Sequence, residues 1–395
     1  MAAVLVTDGE ERAALAAVRS LGRAGHSVFV CTARERSLAG ASRYAKAEAS
    51  VPSALSDPDG FTEEVERLVR RWSVRVLLPV SEAALLALLP VRGRFAGVRI
   101  PFPAMDVFQA ISDKGRVLGC ARELGIAVPS YRTLTSAQEA GSVTGREITF
   151  PVVVKPTRSV VENRFGRVKT QVRYAADDAA LRSALADLPE SAYPVLLQRR
   201  VLGPGIGIFL LRWGGRIVAA FAHRRIREKP PSGGVSVYRE SVRADPLLVQ
   251  QSSALLAQLG WEGVAMVEYK IDSATGTAYL MEVNGRLWGS LQLAIDAGVD
   301  FPTLLVAAAL GEEPSPRSDY RTGIRSRWWW GDVDQLLLRL RRGRHELGLP
   351  QHAAGPLRSL LRFLVLWRPG DRSEVLRLDD WRPFLRESLD WFARR

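Results

Sequence analysis

The sequence predicts an α/β protein in three parts: a parallel α/β domain over residues 1–105, an α+β domain over 106–312, and a mainly helical extension over 313–395. Three observations lead there. Short apolar runs alternate with helical patterns over the first hundred residues, the signature of a parallel sheet. Longer apolar runs then pair across glycine and Asp/Ser turns, as antiparallel hairpins do. Finally Leu357, Leu360, Leu361, Leu364 and Val365 recur at helical spacing in an arginine-rich tail.

Val4-Leu5-Val6, Val28-Phe29-Val30 and Val76-Leu77-Leu78 are the N-terminal strands, with helical patterns at Ala14–Gly25 and Phe61–Trp72. The shape is Rossmann-like, but the first turn, Thr7-Asp8-Gly9-Glu10-Glu11, has one glycine and three acids. It lacks the dinucleotide fingerprint and would repel a pyrophosphate. Pro101-Phe102-Pro103 is the exit from this domain. Asp113-Lys114 opens a helix over Gly115–Leu124, closed by Gly125 and stopped by Pro129. The middle domain divides into subdomains at about 106–194 and 195–312.

Phe150–Pro156 is a buried strand ending on Lys155. A lysine finishing an apolar strand is costly to bury alone, so it is expected to meet an anion. Thr157–Lys169, with Arg158, Arg164, Gly166, Arg167 and Lys169, reads as a basic flap loop over phosphates. Val195–Leu202 is a strand running into Gly203-Pro204-Gly205-Ile206-Gly207. Phe209–Trp213 and Ile217–Phe221 form a hairpin across Gly214-Gly215. His223–Ser236 reads as a long basic loop. Its Arg224, Arg225, Ser232, Gly233 and Gly234 form either an anion or substrate loop or a plain surface loop. His223 reads as structural.

The strands at Met266–Lys270 and Tyr279–Arg286 flank the turn Asp272–Thr277. A hairpin symmetric about Thr275 sets Glu268 opposite Glu282, with Cβ atoms roughly 5 Å apart. Asn284 lies on the same face two residues on, and Arg286 follows at the strand's end. Two carboxylates and an amide aimed at one point repel unless a cation joins them. Such a set suits Mg²⁺ shared with phosphates, because Mg²⁺ takes one or two carboxylates plus phosphate oxygens. The alternative is a surface hairpin with scattered polar groups.

At 395 residues, 47% hydrophobic and 25% charged, the composition is that of a globular protein. No apolar run reaches the roughly 18 residues of a membrane span. The first residues read as a strand and not a signal peptide. Cys31 and Cys120 are too few to imply a disulfide framework or a zinc site, which fits a reducing cytoplasm. The formal charge of +13 raises nucleic acid as a partner. Yet the excess is nearly all arginine, with six lysines, and no nucleic-acid motif accompanies it. A basic lining for a nucleotide is the preferred reading.

Asp113-Lys114, the run VVVKP at Val152–Pro156, LLQRRV at Leu196–Val201 and the paired VEY and MEVNGR strands together resemble the ATP-grasp superfamily. The resemblance spans about Asp106–Leu310 and is nearest the carbamoyl-phosphate synthetase and D-alanine–D-alanine ligase branches. The preceding domain is similar to the small domain usually found before an ATP-grasp. The resemblance implies ATP and Mg²⁺ (or Mn²⁺) as cofactors. Lys114 and Lys155 would contact phosphates, with Lys155 also catalytic. Gln198, Arg199, Arg200 and Val201 would bind adenine, chiefly through backbone groups. Glu268, Glu282 and Asn284 would hold metal, and Arg286 would steady the transferred phosphoryl group. Two departures stand out: the loop after Lys155 lacks a run of glycines, and Gly205-Ile206-Gly207 replaces the usual ribose-binding acid.

The implied activity is an ADP-forming ligase that activates a carboxylate as an acyl phosphate for attack by an amine or, less often, a thiol. A bicarbonate-activating synthase and a non-catalytic ATP-binding module are the alternatives. Residues 317–395 hold 17 arginines, 10 acids and six of the ten tryptophans. Trp328-Trp329-Trp330 reads as a clamp, an interface or core. The amphipathic helix reads first as packing onto the preceding domain or a dimer partner, and second as peripheral contact with an anionic membrane.

Overall fold

The computed structural model describes residues 1–143, 149–163, 166–344, 346–349, 353–365 and 368–394. The N-terminal domain alternates as β1 (Ala3–Val6), α1 (Arg12–Arg23), β2 (Ser27–Thr32), β3 (Ala45–Ser50), α2 (Pro58–Arg71), β4 (Val76–Leu78) and α3 (Glu82–Leu88). Its four strands are parallel in the order β3-β2-β1-β4. β1, β2 and β4 are buried on both faces, which is why their sequences are apolar without alternation. β3, Ala-Lys-Ala-Glu-Ala-Ser, has no β-branched residue; it is a half-exposed edge strand recruited by β2. The acidic first turn is used inside the fold. Asp8, at φ 56°, accepts from the Ser81 amide at 3.0 Å and the Ser81 hydroxyl at 2.7 Å, fastening β1 to the start of α3.

The middle of the chain begins with α4 (Met105–Ser112) and α5 (Lys114–Glu123), the latter capped by Asp113, which accepts from the Arg116 amide at 3.1 Å. Then come β5 (Tyr131–Leu134), α6 (Ala137–Ser142), β6 (Val152–Pro156), β7 (Val160–Asn163), β8 (Gly166–Lys169), β9 (Arg173–Ala175), α7 (Asp178–Ala186) and β10 (Val195–Arg199). One sheet has the order β5-β10-β6-β9 and packs on its own core of Leu134, Val152, Val154, Leu181 and Val195. Two expectations are corrected here. The flap is an antiparallel hairpin, with Val160 opposite Lys169, and not a loop; Arg164 falls outside the described residues. Val195–Arg199 completes this first sheet, by pairing with both β5 and β6, and does not open the second subdomain.

The second sheet is built from β11 (Gly205–Trp213), β12 (Arg216–Lys229), β13 (Val235–Ser241), β14 (Gly263–Ile271) and β15 (Ala278–Asn284), with α8 (Pro246–Gln258) between β13 and β14. Behind it pack α9 (Leu291–Ala297) and α10 (Phe301–Ala309). The supposed loop His223–Ser236 is mostly strand. His223 pairs with Gly207 on one side and Ser241 on the other, and β12 runs to Lys229 before a short turn. Ladder bonds on both edges override the polar, proline-containing local sequence.

The C-terminal extension is not purely helical. β16 (Arg325–Arg327) precedes α11 (Trp329–Arg341) and α12 (Pro356–Leu364); β17 (Asp371–Ser373) precedes α13 (Arg382–Ala393). β16 and β17 lengthen the second sheet to seven strands, β15-β14-β11-β12-β13-β16-β17. Buried ion pairs fasten this segment to α1. Arg19 Nε meets Asp380 at 2.7 Å, Ser42 Oγ donates to the same carboxylate at 2.7 Å, and Glu374 accepts from Arg12 at 2.7 Å and from Arg239. The tryptophan triplet packs the extension: Trp330 stacks on Trp391 at 4.2 Å, Trp329 meets Phe363 at 5.8 Å, and the Arg12 guanidinium lies 3.8 Å over Trp328. Among the described residues no single helix is long and apolar enough to cross a membrane.

Glu387 accepts a hydrogen bond from Trp328 Nε1 at 2.7 Å, and burial pushes its carboxyl up to about 7 from an ordinary 4.5. A raised folded-state value means its stability contribution is intact below about 4.5 and is lost as pH rises through about 7. Glu387→Gln keeps the acceptor without the charge. It should therefore match wild type at pH 4.5 and melt about 4 °C higher at pH 8, for a gain of about 3 kcal/mol; calorimetry at the two pH values checks this.

Candidate active site

β14 and β15 place Glu268 directly opposite Glu282 and Met266 opposite Asn284. The pairing shifts by one residue between Glu268 and Tyr269, since Tyr269 faces Leu280. A β-bulge at Met281 therefore sets the two acids on one face, because a one-residue slip reverses every side chain. Asn284 Nδ2 lies 3.4 Å from Glu268 Oε1 and 3.2 Å from Glu282 Oε1, joining them. Gly285 ends the strand against the buried Trp261: an added Cβ would sit 2.5 Å from that ring. Arg286 follows, its Nη1 donating to the Leu287 carbonyl at 2.9 Å.

Two lysines, one from β6 of the other sheet and one from helix α5, act on these acids. Lys155, at the end of β6, donates to Gln198 Oε1 at 2.8 Å; Lys114, at the start of α5, donates to Ser159 Oγ at 2.9 Å. Burial and Lys114 depress the Lys155 ammonium, while Glu282 and Glu268 work to keep it charged. Burial would push Glu282 up, but Lys114, Lys155 and the Asn284 amide outweigh it and hold the carboxyl below the usual range. Gln198 is buried, and its Nε2 has no partner among the described residues.

Glu268 behaves oppositely. Arg225 Nη2 touches it at 2.5 Å, yet burial, with Glu282 and Glu228 nearby, raises its carboxyl above the usual range. The corner is short of positive charge even with an arginine present. The donor set fits a hard divalent cation: two opposed carboxylates, and an amide that would turn its Oδ1 in place of Nδ2 toward the ion. Among the described residues no group of three or more His, Cys, Asp and Glu could hold a metal by itself. A cation here would need further oxygens from a ligand, as Mg²⁺ with phosphates does.

The other expected residues divide. Arg225 is at the site, but its neighbour Arg224 points to the opposite face of β12 and pairs with Glu240 at 2.8 Å. Arg224 is thus removed from the substrate set. Ser232, Gly233 and Gly234 form the turn beyond β12, where the Ser232 carbonyl accepts from Arg200 at 3.4 Å and the Gly234 carbonyl from Arg225 at 3.2 Å. The Arg199 and Arg200 amides are committed to the Ser130 and Pro151 carbonyls, at 2.9 and 3.0 Å. The Arg199 guanidinium turns to Asp272 and that of Arg200 to the Tyr174 ring. Val201 is buried at the same crossing.

Glu82, on the N-terminal domain, had no signal in the sequence. It lines three adjoining cavities with the β6–β8 segment and the β15 exit. They measure about 350 Å³ (with Met105, Arg158, Val160 and Tyr193), about 210 Å³ (with Glu11, Lys169 and Arg286) and about 10 Å³ (with Lys114, Glu282 and Asn284). Burial raises its carboxyl against the pull of Arg286 and Lys114. The flap roofs these spaces, its Arg167 amide donating to the Leu55 carbonyl of the N-terminal domain at 2.9 Å.

This fold and geometry resemble those of the ATP-grasp superfamily, and one stretch of the sequence matches a family of that kind. Residues 191–330 match the family described as ATP-grasp in the biosynthetic pathway with Ter operon. The carbamoyl phosphate synthase large chain of Gemmatimonas aurantiaca is 29% identical over 226 residues, 55% of this chain and 20% of that one. The chain thus spans about a fifth of that relative's length. A biotin carboxylase–ATP complex from Campylobacter jejuni superposes with TM-score 0.64 at 15% identity, covering 82% of this chain and 74% of the other. An L-amino acid ligase from Bacillus licheniformis gives TM-score 0.58 at 16% identity, covering 78% and 74%.

Arg225→Ala should cost about 3 kcal/mol, because it strands Glu268 as an unpaired buried charge. Arg224→Ala, losing an exposed pair, should cost under about 1 kcal/mol. Urea unfolding of the two variants measures the difference.

Proposed function

We propose that the chain is an ATP- and Mg²⁺-dependent, ADP-forming ligase that activates a carboxylate as an acyl phosphate and passes it to an amine. The observation that carries this reading is the opposition of Glu268 and Glu282 across β14 and β15, with Lys155 and Lys114 facing them. The ligase and carboxylase folds it resembles agree with it.

Glu268, Glu282 and Asn284 would hold Mg²⁺, which when bound neutralises phosphate charge and orients the nucleotide. Lys155 and Lys114 would balance the β- and γ-phosphates, and the Gln198–Val201 crossing would flank adenine. A carboxylate oxygen then bonds to the γ-phosphorus as the bond to the bridging oxygen of ADP breaks. Arg286, at the junction of two cavities, is placed to hold the carboxylate and then the acyl phosphate. An amine nitrogen attacks the acyl carbon, the bond to phosphate breaks, and the nitrogen passes a proton to the departing phosphate. Glu82, with its raised carboxyl and its place beside Arg286, is positioned to orient that amine. The flap contact at Leu55 keeps water from the acyl phosphate. Charge balance and positioning do nearly all the work in such a transfer.

Bicarbonate as the acid is the second reading, favoured by the similarity to a carbamoyl phosphate synthase. The cavity of about 350 Å³, whose walls mix Leu86, Met105 and Val160 with Arg158 and Arg167, instead suits a larger acid. An ATP-binding module without turnover would bind ADP·Mg²⁺ but release no phosphate.

Glu282→Ala and Lys155→Ala should each lower ATP turnover by about 10²–10³ with the fold intact. Phosphate release on adding pooled carboxylates and amines, with circular dichroism as control, checks this; wild-type turnover in both variants refutes the assignment.

A further inference from the structure

We propose that the outer face of the C-terminal extension docks on an anionic lipid surface. Leu378, Trp381, Leu385, Leu389 and Phe392 are 48–94% exposed, and their spacing of three and four residues forms one stripe along α13 and the turn before it. On α12, Leu357, Leu361, Leu364 and Val365 are 45–70% exposed in a second stripe. Successive residues of α11 seat the two helices: Trp329 holds Phe363 of α12, and Trp330 holds Trp391 of α13. Both stripes therefore flank one helix end. Scattered surface leucines are ordinary; two ordered stripes on neighbouring helices mark an interaction surface.

Charge selects the occupant. The guanidinium groups of Arg358, Arg362, Arg382 and Arg394, beside the stripes, make no ion pair or hydrogen bond among the described residues. Asp332, Glu374 and Asp380 are buried in ion pairs of the fold, and the acids beside the α13 stripe, Asp379 and Asp390, are paired with Arg23 and Arg386. α12 contains no acid at all. A second copy meeting these stripes would bring arginine against arginine. Anionic headgroups instead pair with the arginines while leucine and tryptophan enter the acyl boundary, the arrangement of interfacial helices. No helix among the described residues is fit to cross the bilayer, so the extension would lie on it.

Flotation of the full chain with vesicles tests this independently of any nucleotide chemistry. The protein should float with phosphatidylcholine/phosphatidylglycerol vesicles, stay behind with phosphatidylcholine alone, and be released by high salt. Leu385→Asp with Leu389→Asp should abolish flotation while leaving circular dichroism and melting unchanged. Arg358→Gln and Arg382→Gln should each weaken partitioning about fivefold. Failure of the wild type to float with anionic vesicles overturns the proposal. So does equal binding to neutral vesicles, or a concentration-dependent dimer, seen by sedimentation, that the aspartate variant dissociates.

Discussion

Two carboxylates held against each other in a low-dielectric corner are the constraint on which the rest of the molecule depends. Glu268 and Glu282 cannot both stay ionised there without positive charge. The protein supplies part of it, Arg225 on one side and Lys155 with Lys114 on the other. Burial raises both carboxyls, but their neighbours differ: the lysines beside Glu282 hold it below the usual range, whereas burial, with Glu282 and Glu228 adding to it, keeps Glu268 above that range despite Arg225. An unevenly neutralised pair of this kind is suited to admitting a cation that arrives with its own anionic partner.

The surrounding architecture delivers these groups from elements far apart in the chain. β14 and β15 carry the acids, β6 and α5 the lysines, and β12 the arginine. α3 brings Glu82 from the N-terminal domain to the same cavities. That domain is locked to the second sheet by the buried Arg19–Asp380 and Arg12–Glu374–Arg239 pairs. Removing one member of such a pair costs several kcal/mol, so the extension holds the relative placement of α1 and the sheet. Its arginines and tryptophans thereby have an account in packing before any partner is considered.

The sequence showed the parts whose chemistry is local. Lys155 was legible because a lysine closing Val-Val-Val must find a counter-charge, and the Asp272–Thr277 turn fixed which strands pair. The Glu268–Glu282 register was reached by assuming symmetry about Thr275, whereas the fold reaches it through a bulge at Met281 that no local signal announces. His223–Ser236 was misread because Pro230, Pro231 and two glycines mark a turn, while the strand before them is decided by partners on β11 and β13. The same misreading merged Arg224 with Arg225, which strand alternation sends to opposite faces. Glu82 was illegible for a different reason: its role exists only once two domains meet.

The most direct measurement is a crystal structure of the chain with ADP and Mn²⁺, recorded for anomalous scattering. The account predicts a manganese peak within about 2.2 Å of carboxylate oxygens of both Glu268 and Glu282, with the diphosphate reaching toward Lys155. Nucleotide bound elsewhere, or a diphosphate in place with no peak between the two acids, would contradict it.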